Sequence, residues 1–141
     1  MLPVGSTIAA RMVLRVGYRT LKMLPRFGKC RSMDVGVVMR HKDRVLAVRH
    51  SYRPGYDFPS GGVGRRKQFR DTAVRELAEG LSIHTDPDAL VYKQRHHRSH
   101  LFELTFDEKP NIRMDNRKVN EAVFLTPEEA ICRKPPFQHF L

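Results

Sequence analysis

Two carboxylates and a pair of glycines in the middle of the chain have residue types and a spacing that suit phosphate chemistry. Glu76 and Glu79 lie three residues apart in a segment of helical periodicity, so their side chains are neighbours on the helix surface. Gly61 and Gly62 precede that helix. Hard cations such as Mg²⁺ prefer carboxylate and phosphate oxygens as ligands. The pattern therefore predicts a site for a divalent cation and for the phosphates that the cation carries.

The helix that positions these acids is predicted at residues 68–81. Its apolar side chains recur at helical spacing on one face, which comprises Phe69, Ala73, Val74, Leu77, Ala78 and Leu81. Glu76 and Glu79 fall outside that face. Strands are predicted before the helix at 33–40 and 44–50, as a hairpin, and after it at 89–95, 100–106 and 119–125. A short second helix is predicted to begin after Thr126.

Residues 58–83, FPSGGVGRRKQFRDTAVRELAEGLSI, resemble the box of the Nudix hydrolases, which cleave pyrophosphate bonds in nucleoside diphosphates linked to another group. The family pattern is Gly, five residues, Glu, seven residues, then Arg-Glu-aliphatic-x-Glu-Glu-x-Gly-aliphatic. The positions that match without a gap are Gly61, Arg75, Glu76, Leu77, Glu79 and Ile83. The resemblance implies an α/β fold of the Nudix type, an α/β/α sandwich with a mixed central sheet.

The resemblance also implies roles for residues of the box. Glu76 and Glu79 are expected to bind Mg²⁺ and, together with Arg75, to form the catalytic group. The residues expected to contact the phosphates of the substrate are Gly61, Gly62, Arg65, Arg66 and Lys67. The implied ligand is a nucleoside diphosphate derivative.

Three positions of the box depart from the family pattern. Lys67 stands in place of its first Glu, Gly80 in place of the second Glu of its Glu-Glu pair, and Ser82 in place of its final Gly. A bound Mg²⁺ and a neighbouring ammonium repel each other, and the loss of a carboxylate weakens the cation site further. We therefore expect Lys67, helped by the adjacent arginines, to pair with Glu76 and Glu79 in place of the metal.

Two functions remain open at this point. One is a divergent Mg²⁺-dependent pyrophosphohydrolase that acts on a phosphoric anhydride bond, with turnover that is lost in Glu79→Gln. The other is a non-catalytic Nudix-fold protein that binds a nucleotide, RNA or an anionic partner, with ligand binding that is insensitive to EDTA. The sequence does not determine the substrate or the oligomeric state.

The charge distribution divides the chain into two parts. The 141 residues have a formal net charge of +11 and a pI near 10.3, which implies attraction to polyanions. Residues 1–33 contain seven Lys or Arg and no acid, and are predicted to form a basic amphipathic helix and a linker before a Nudix domain at 34–141. That helix either packs on the domain or contacts nucleic acid or an anionic membrane surface through residues 11–31.

The location is predicted from the apolar runs and the cysteines. No apolar run reaches the length that spans a bilayer. Cys30 and Cys132 lie far apart and are expected to be free thiols in a reducing compartment. The sequence therefore predicts a cytoplasmic protein, with a membrane-peripheral location as the alternative.

Overall fold

The computed structural model describes residues 33–52, 54–64, 67–133 and 141. The predicted basic helix, its contacts through residues 11–31, and Arg65 and Arg66 of the box lie outside the described residues. The elements of the described part, in chain order, are β1 (Met33–His41), β2 (Arg44–His50), β3 (Tyr56–Asp57), β4 (Ser60–Val63), α1 (Phe69–Leu81), a 3-10 turn (Pro87–Ala89), β5 (Val91–His96), β6 (Ser99–Phe106), β7 (Val119–Leu125) and α2 (Pro127–Cys132). Neither of these α-helices is long and apolar enough to cross a membrane.

All seven strands belong to one mixed sheet. Its main path is β3-β2-β1-β6-β5, with β4 paired to β1 and β7 paired to β2. β1 and β6 run parallel, whereas the other pairs are antiparallel. β1 contacts β2 beside their turn, through Arg40↔Val45 and His41↔Arg44, and then pairs with β4 instead. The sheet therefore splays, and β4 delivers the glycines of the box to the start of α1.

Apolar side chains cover both faces of the sheet. On one face α1 buries Ala73 and Leu77 against strand residues such as Met39. On the other face α2 buries Ala130 against residues that include Val38. Successive side chains of β1 therefore point to opposite faces of the sheet and pack into different hydrophobic clusters, which explains the continuous apolar run of that strand. The mixed sheet between helices confirms the predicted α/β fold of the Nudix type.

Some elements differ from the prediction. β3 and β4 were not among the predicted strands. Glycines such as Gly61 and Gly62 have low strand propensity, and pairing with β1 makes β4 a strand. The strand predicted from residue 89 begins at Val91, because Pro87–Ala89 forms the 3-10 turn. The apolar face of α1 also includes Thr72 and Gly80, which are buried.

The ends of the helices follow capping rules in two different ways. α2 begins with a capping box, in which Thr126 accepts from the backbone of Glu129 and the Glu129 side chain accepts from the backbone of Thr126. Ser82 caps the C-terminus of α1, directly after Leu81, and its φ of 56° lies in the left-handed region. Glycine is favoured at such a position, which gives a physical reason for the glycine that the family pattern carries there.

Candidate functional site

Gly61 and Glu76 form the most closely packed contact between β4 and α1. A Cβ atom on Gly61 would lie 2.5 Å from Glu76 Cγ and Oε1, so only glycine leaves room for this carboxylate. The Glu76 side chain is 17% exposed. Gly62 is exposed and pairs with Asp34 of β1. The structure therefore brings two residues of the box pattern, Gly61 and Glu76, together.

Arg75 lies between the two acids of the box. Its Nη2 atom is 3.5 Å from Glu76 Oε1, and its Nε atom is 3.8 Å from Glu79 Oε1. The Glu79 side chain is 45% exposed and lies one turn after Arg75 on the same side of the helix. One guanidinium thus partly neutralises both carboxylates.

Lys118 brings a second cation to the site. Its Nζ atom donates a hydrogen bond of 2.8 Å to Glu79 Oε2. Both polar groups of the Lys118 backbone are hydrogen-bonded: the N–H donates to Asp115 O, and the carbonyl accepts from Ser51 N. The lysine therefore reaches Glu79 from an anchored position directly before β7.

The pKa values of this pair move in opposite directions. The hydrogen bond from Lys118 and the positive charges of Lys118, Arg75 and Lys67 lower the pKa of Glu79, against the opposing effect of burial. Burial acts to lower the pKa of Lys118, but the hydrogen bond to Glu79 and the charges of Glu76, Glu79 and Asp115 raise it overall. Both groups are consequently charged at neutral pH, and the pair is an ion pair.

Lys67 has a different position from the one expected. It was expected to pair directly with Glu76 and Glu79; in the structure, the hydrogen-bonded cation at Glu79 is Lys118, and Lys67 acts on Glu79 through space. Lys67 lines a groove of about 410 Å³ together with Gln68, Asp71, Thr72 and Arg75. The Thr72 hydroxyl is buried and has no hydrogen-bond partner among the described residues.

Gly80 opens a small cavity on the other side of Glu76. The cavity has a volume of about 20 Å³ and is lined by residues that include His50, Ser60, Glu76, Gly80 and Lys118. A volume of about 15 Å³ is enough for a single water molecule. A Cβ atom on Gly80 would meet Val119 Cγ2 at 3.6 Å, an ordinary contact. The backbone would thus accept a side chain at this position.

The arrangement does not fit a magnesium site as it stands. The described residues contain no group of three or more His, Cys, Asp or Glu side chains placed to hold a metal ion. Glu76 and Glu79 are each within 4 Å of a side-chain cation. A divalent ion would have to displace Lys118 from Glu79 and would meet its charge.

Sequence reasoning missed Lys118. The residue lies 39 positions after Glu79, at the end of the polar loop before β7. No local pattern connects the two positions, because the contact depends on how β7 pairs with β2. The available signal was indirect: a chain that lacks an acid at position 80 can accept a lysine beside the remaining acids.

Comparison with known proteins agrees with the fold. The NUDIX domain model matches residues 31–140. A UPF0102 protein of Parafrankia sp. (strain EAN1pec) is 29% identical over 118 residues, which are 81% of this chain and 89% of that protein.

Two solved structures of similar fold have low sequence identity to this chain. The E. coli dihydroneopterin triphosphate pyrophosphohydrolase is 19% identical at a TM-score of 0.63, over 74% of this chain and 87% of that one. The NUDIX domain of Shewanella oneidensis NrtR, solved with ADP ribose, is 15% identical at a TM-score of 0.60, over 87% and 90%.

Other matched structures belong to longer chains. This chain spans 57% and 43% of the length of two further proteins with this fold. At these identities the structural likeness concerns the fold alone. The family-model match, which covers well over half of the sequence, shows that the chain belongs to the Nudix family.

Proposed function

We propose that this chain is a Nudix-fold protein that binds a nucleoside diphosphate derivative, and that its hydrolytic activity is weak or lost. The observation that carries the proposal is the hydrogen bond of 2.8 Å from Lys118 Nζ to Glu79 Oε2. An intramolecular cation occupies the carboxylate that a Nudix hydrolase is expected to offer to a metal ion.

The charges of the site support binding without a metal. A catalytic metal concentrates two positive charges beside the scissile phosphate. Here Arg75 and Lys118 supply single charges that are already paired with the acids. Because the acids balance these two charges, attraction for an anionic ligand comes from Lys67 and from the net charge of the chain. Neither Arg75 nor Lys118 can hold a coordinated water molecule as a metal ion does. Ligand binding and turnover are therefore separable in this chain.

The groove beside α1 is the proposed binding place for the phosphates. It lies between Lys67 and Arg75, and its volume of about 410 Å³ is in the range of small-molecule pockets. The other proposed phosphate contacts are Gly61, Gly62, Arg65 and Arg66. The ADP ribose bound to the NrtR domain makes a nucleotide derivative a reasonable ligand class.

A second candidate function is slow Mg²⁺-dependent cleavage of a phosphoric anhydride bond. The close packing of Gly61 against Glu76 favours it, because this chain retains the glycine that a functional box requires. In that case Glu76 and Glu79 bind Mg²⁺ weakly, after Lys118 has moved away. A restored acid at position 80 or at position 67 would then increase turnover.

Calorimetric titration with ADP ribose separates the two functions. The full chain is titrated in EDTA and again in excess Mg²⁺, and the formation of AMP and ribose 5-phosphate, the two products of anhydride cleavage, is followed in parallel. The proposal expects the same affinity in both buffers and turnover at the level of a buffer blank. Affinity that requires Mg²⁺, together with turnover that Glu79→Gln abolishes, would establish the hydrolase instead.

Two variants sharpen the test. Lys67→Gln removes one cation of the groove and is expected to weaken ADP ribose binding. Lys42→Asn removes one cation from the β1–β2 turn, outside the groove, and is the matched control for net charge. The asparagine is chosen because Lys42 has a φ of 54°, which asparagine tolerates. Equal losses in both variants would show that net charge, and not the groove, attracts the ligand.

The remaining parts of the proposal concern location and the N-terminal segment. We propose a cytoplasmic location, supported by the free thiol of Cys132. A membrane-peripheral role would depend on residues 11–31. Vesicle sedimentation of the full chain and of a chain that starts at residue 32 tests this role directly.

A further inference from the structure

The strand at the edge of the sheet, β5, presents an aromatic side chain beside several cations. Tyr92 is 46% exposed, so α1 leaves this end of its side of the sheet uncovered. Val91, the preceding residue of the strand, is 55% exposed on the opposite face. Tyr92 pairs with Phe102 of β6, and Arg95 pairs with His100. Residues paired across neighbouring strands share a face, so these four side chains lie on the side of the sheet that also carries α1.

The exposed ring of Tyr92 is held by its neighbours. Its hydroxyl lies 3.1 Å from His100 Nδ1, and its ring packs edge-on against Phe102 with centroids 5.5 Å apart. His100 in turn stacks on Phe69, the first residue of α1, at a centroid distance of 3.9 Å. Burial and the charge of Arg95 lower the pKa of His100, so the ring is neutral at pH 7 and its Nδ1 atom can accept a hydrogen bond from the Tyr92 hydroxyl. Tyr92 is thus an ordered aromatic platform.

Two cations line the groove that Tyr92 also lines. Arg70 donates to Pro87 O and Leu90 O and lies over the Phe102 ring, so its charge is fixed in position. Lys67 lines this open groove, which has a volume of about 470 Å³ and also contains Arg70 and Tyr92. We name the six residues of this region the edge surface: Lys67, Phe69, Arg70, Tyr92, Arg95 and His100.

The openness of the edge surface decides between partners. Small-molecule pockets bury most of their ligand, whereas Tyr92 and Lys67 are both exposed. A second copy of the chain is disfavoured, because edge-to-edge pairing would bring Lys93 and Arg95 close to their own counterparts. Exposed aromatic side chains with nearby cations match the pattern by which proteins hold unpaired bases and the phosphates between them.

We infer that the edge surface binds single-stranded nucleic acid, with one base stacked on Tyr92 and the flanking phosphates in contact with Lys67 and Arg95. The inference goes beyond the proposed function, because it requires neither the box acids nor a nucleoside diphosphate ligand. At low salt, the net charge of +11 adds long-range attraction to a polyanion.

Fluorescence anisotropy with a labelled 12-nucleotide oligouridylate tests the inference on the full chain. Loss of one stacked base typically weakens binding about tenfold, so Tyr92→Ala is expected to raise Kd by about that factor. Tyr92→Phe keeps the ring and is expected to remain within about twofold of the wild type. Arg95→Gln is expected to reduce the slope of log K against log salt by about 0.7, the value for one phosphate contact on a single strand.

The controls separate stacking from general charge. Lys42→Asn removes a charge away from the edge surface and is expected to leave Kd unchanged at 150 mM salt, where distant surface charges are largely screened. A duplex of the same length offers no free base to Tyr92, so its binding is expected not to change in Tyr92→Ala. Circular dichroism melting of each variant shows whether the fold is intact, and Tyr92→Phe covers the case in which Tyr92→Ala unfolds.

Several results would overturn the inference. The first is an equal Kd for the wild type and for a folded Tyr92→Ala variant. The second is an equal loss of oligonucleotide affinity in Arg95→Gln and Lys42→Asn. The third is binding to phosphatidylserine vesicles without binding to the oligonucleotide. Failure here is distinguishable from failure of the proposed function. Tyr92→Ala is expected to leave ADP ribose binding intact, and Glu79→Gln is expected to leave oligonucleotide binding intact.

Discussion

Replacement of Lys118 by methionine is predicted to strengthen the binding of a divalent cation at Glu79. Methionine keeps an unbranched aliphatic side chain of similar reach and removes the ammonium. In the wild type, an incoming cation must break the hydrogen bond of 2.8 Å between Lys118 Nζ and Glu79 Oε2 and then tolerate the ammonium nearby. In Lys118→Met both obstacles are absent.

The magnitude follows from the distance and the exposure of the pair. Mg²⁺ binds carboxylate oxygens at about 2.1 Å, so an ion on Glu79 would lie within about 5 Å of the ammonium if Lys118 stayed in place. Repulsion between charges of +2 and +1 at that distance is about 1.7 kcal/mol in water, which is the suitable medium because both side chains are more than a third exposed. Salt at about 0.1 M reduces this energy to about 1 kcal/mol. The expected gain in affinity is therefore about fivefold.

Titration with Mn²⁺, followed by electron paramagnetic resonance of the free ion, measures this affinity without reference to catalysis. Lys109→Met is the matched control, because Lys109 is an exposed lysine that lies over the ring of Phe124, outside the site. The reasoning would be refuted if the Lys118→Met variant bound Mn²⁺ no more tightly than the wild type. An equal gain in Lys109→Met would also refute it, because that result would assign the effect to net charge.

Three further predictions concern stability. In Gly61→Ala the new Cβ collides with Glu76, so we expect a loss of about 1–3 kcal/mol in urea denaturation, whereas Gly64→Ala, whose Cβ would meet only a flexible side chain at 3.7 Å, is the milder control. The lowered pKa of Glu79 means that its ionised form stabilises the fold above its unfolded pKa; stability should therefore fall as pH drops below about 4.3, and Glu79→Gln should flatten this part of the pH profile. Thr126→Ala removes the side-chain cap of α2 and should cost about 1 kcal/mol by thermal denaturation, and an unchanged melting temperature would contradict the capping role.

The sequence was sufficient to predict the elements that have a strong local signal. Three elements have a signal that lies within a few neighbouring residues: the helical period of α1, the strand at β6 and the helix start at Thr126. The structure contains all three elements. β4 was harder, because its two glycines have little strand propensity and become a strand by pairing with β1. The parallel pairing of β1 with β6 has no local signal at all, and the family resemblance implied a mixed sheet without naming this pair.

The candidate site shows the same division between local and distant contacts. Gly61 and Glu76 were both singled out from the box pattern, and the structure adds that they are in close contact. Lys118 approaches Glu79 from another part of the chain, so its place depends on the completed sheet. The expectation that Lys67 neutralises the acids holds in part, because the charge of Lys67 lowers the pKa of Glu79 through space. Proximity in sequence favoured Lys67, whereas the hydrogen bond is made by Lys118.

The central position of β1 has a consequence for how the chain folds during synthesis. β1 is the first described element, yet its parallel partner β6 begins about 65 residues later. β2 likewise pairs with β7, which is the last strand of the sheet along the chain. Pairings of this sequence separation close long loops and slow the folding of a small domain. The growing chain therefore cannot complete its sheet until Leu125 has left the ribosome. Until then the apolar residues of β1 and β2 are without their final partners, and this interval is when the domain is most dependent on chaperones.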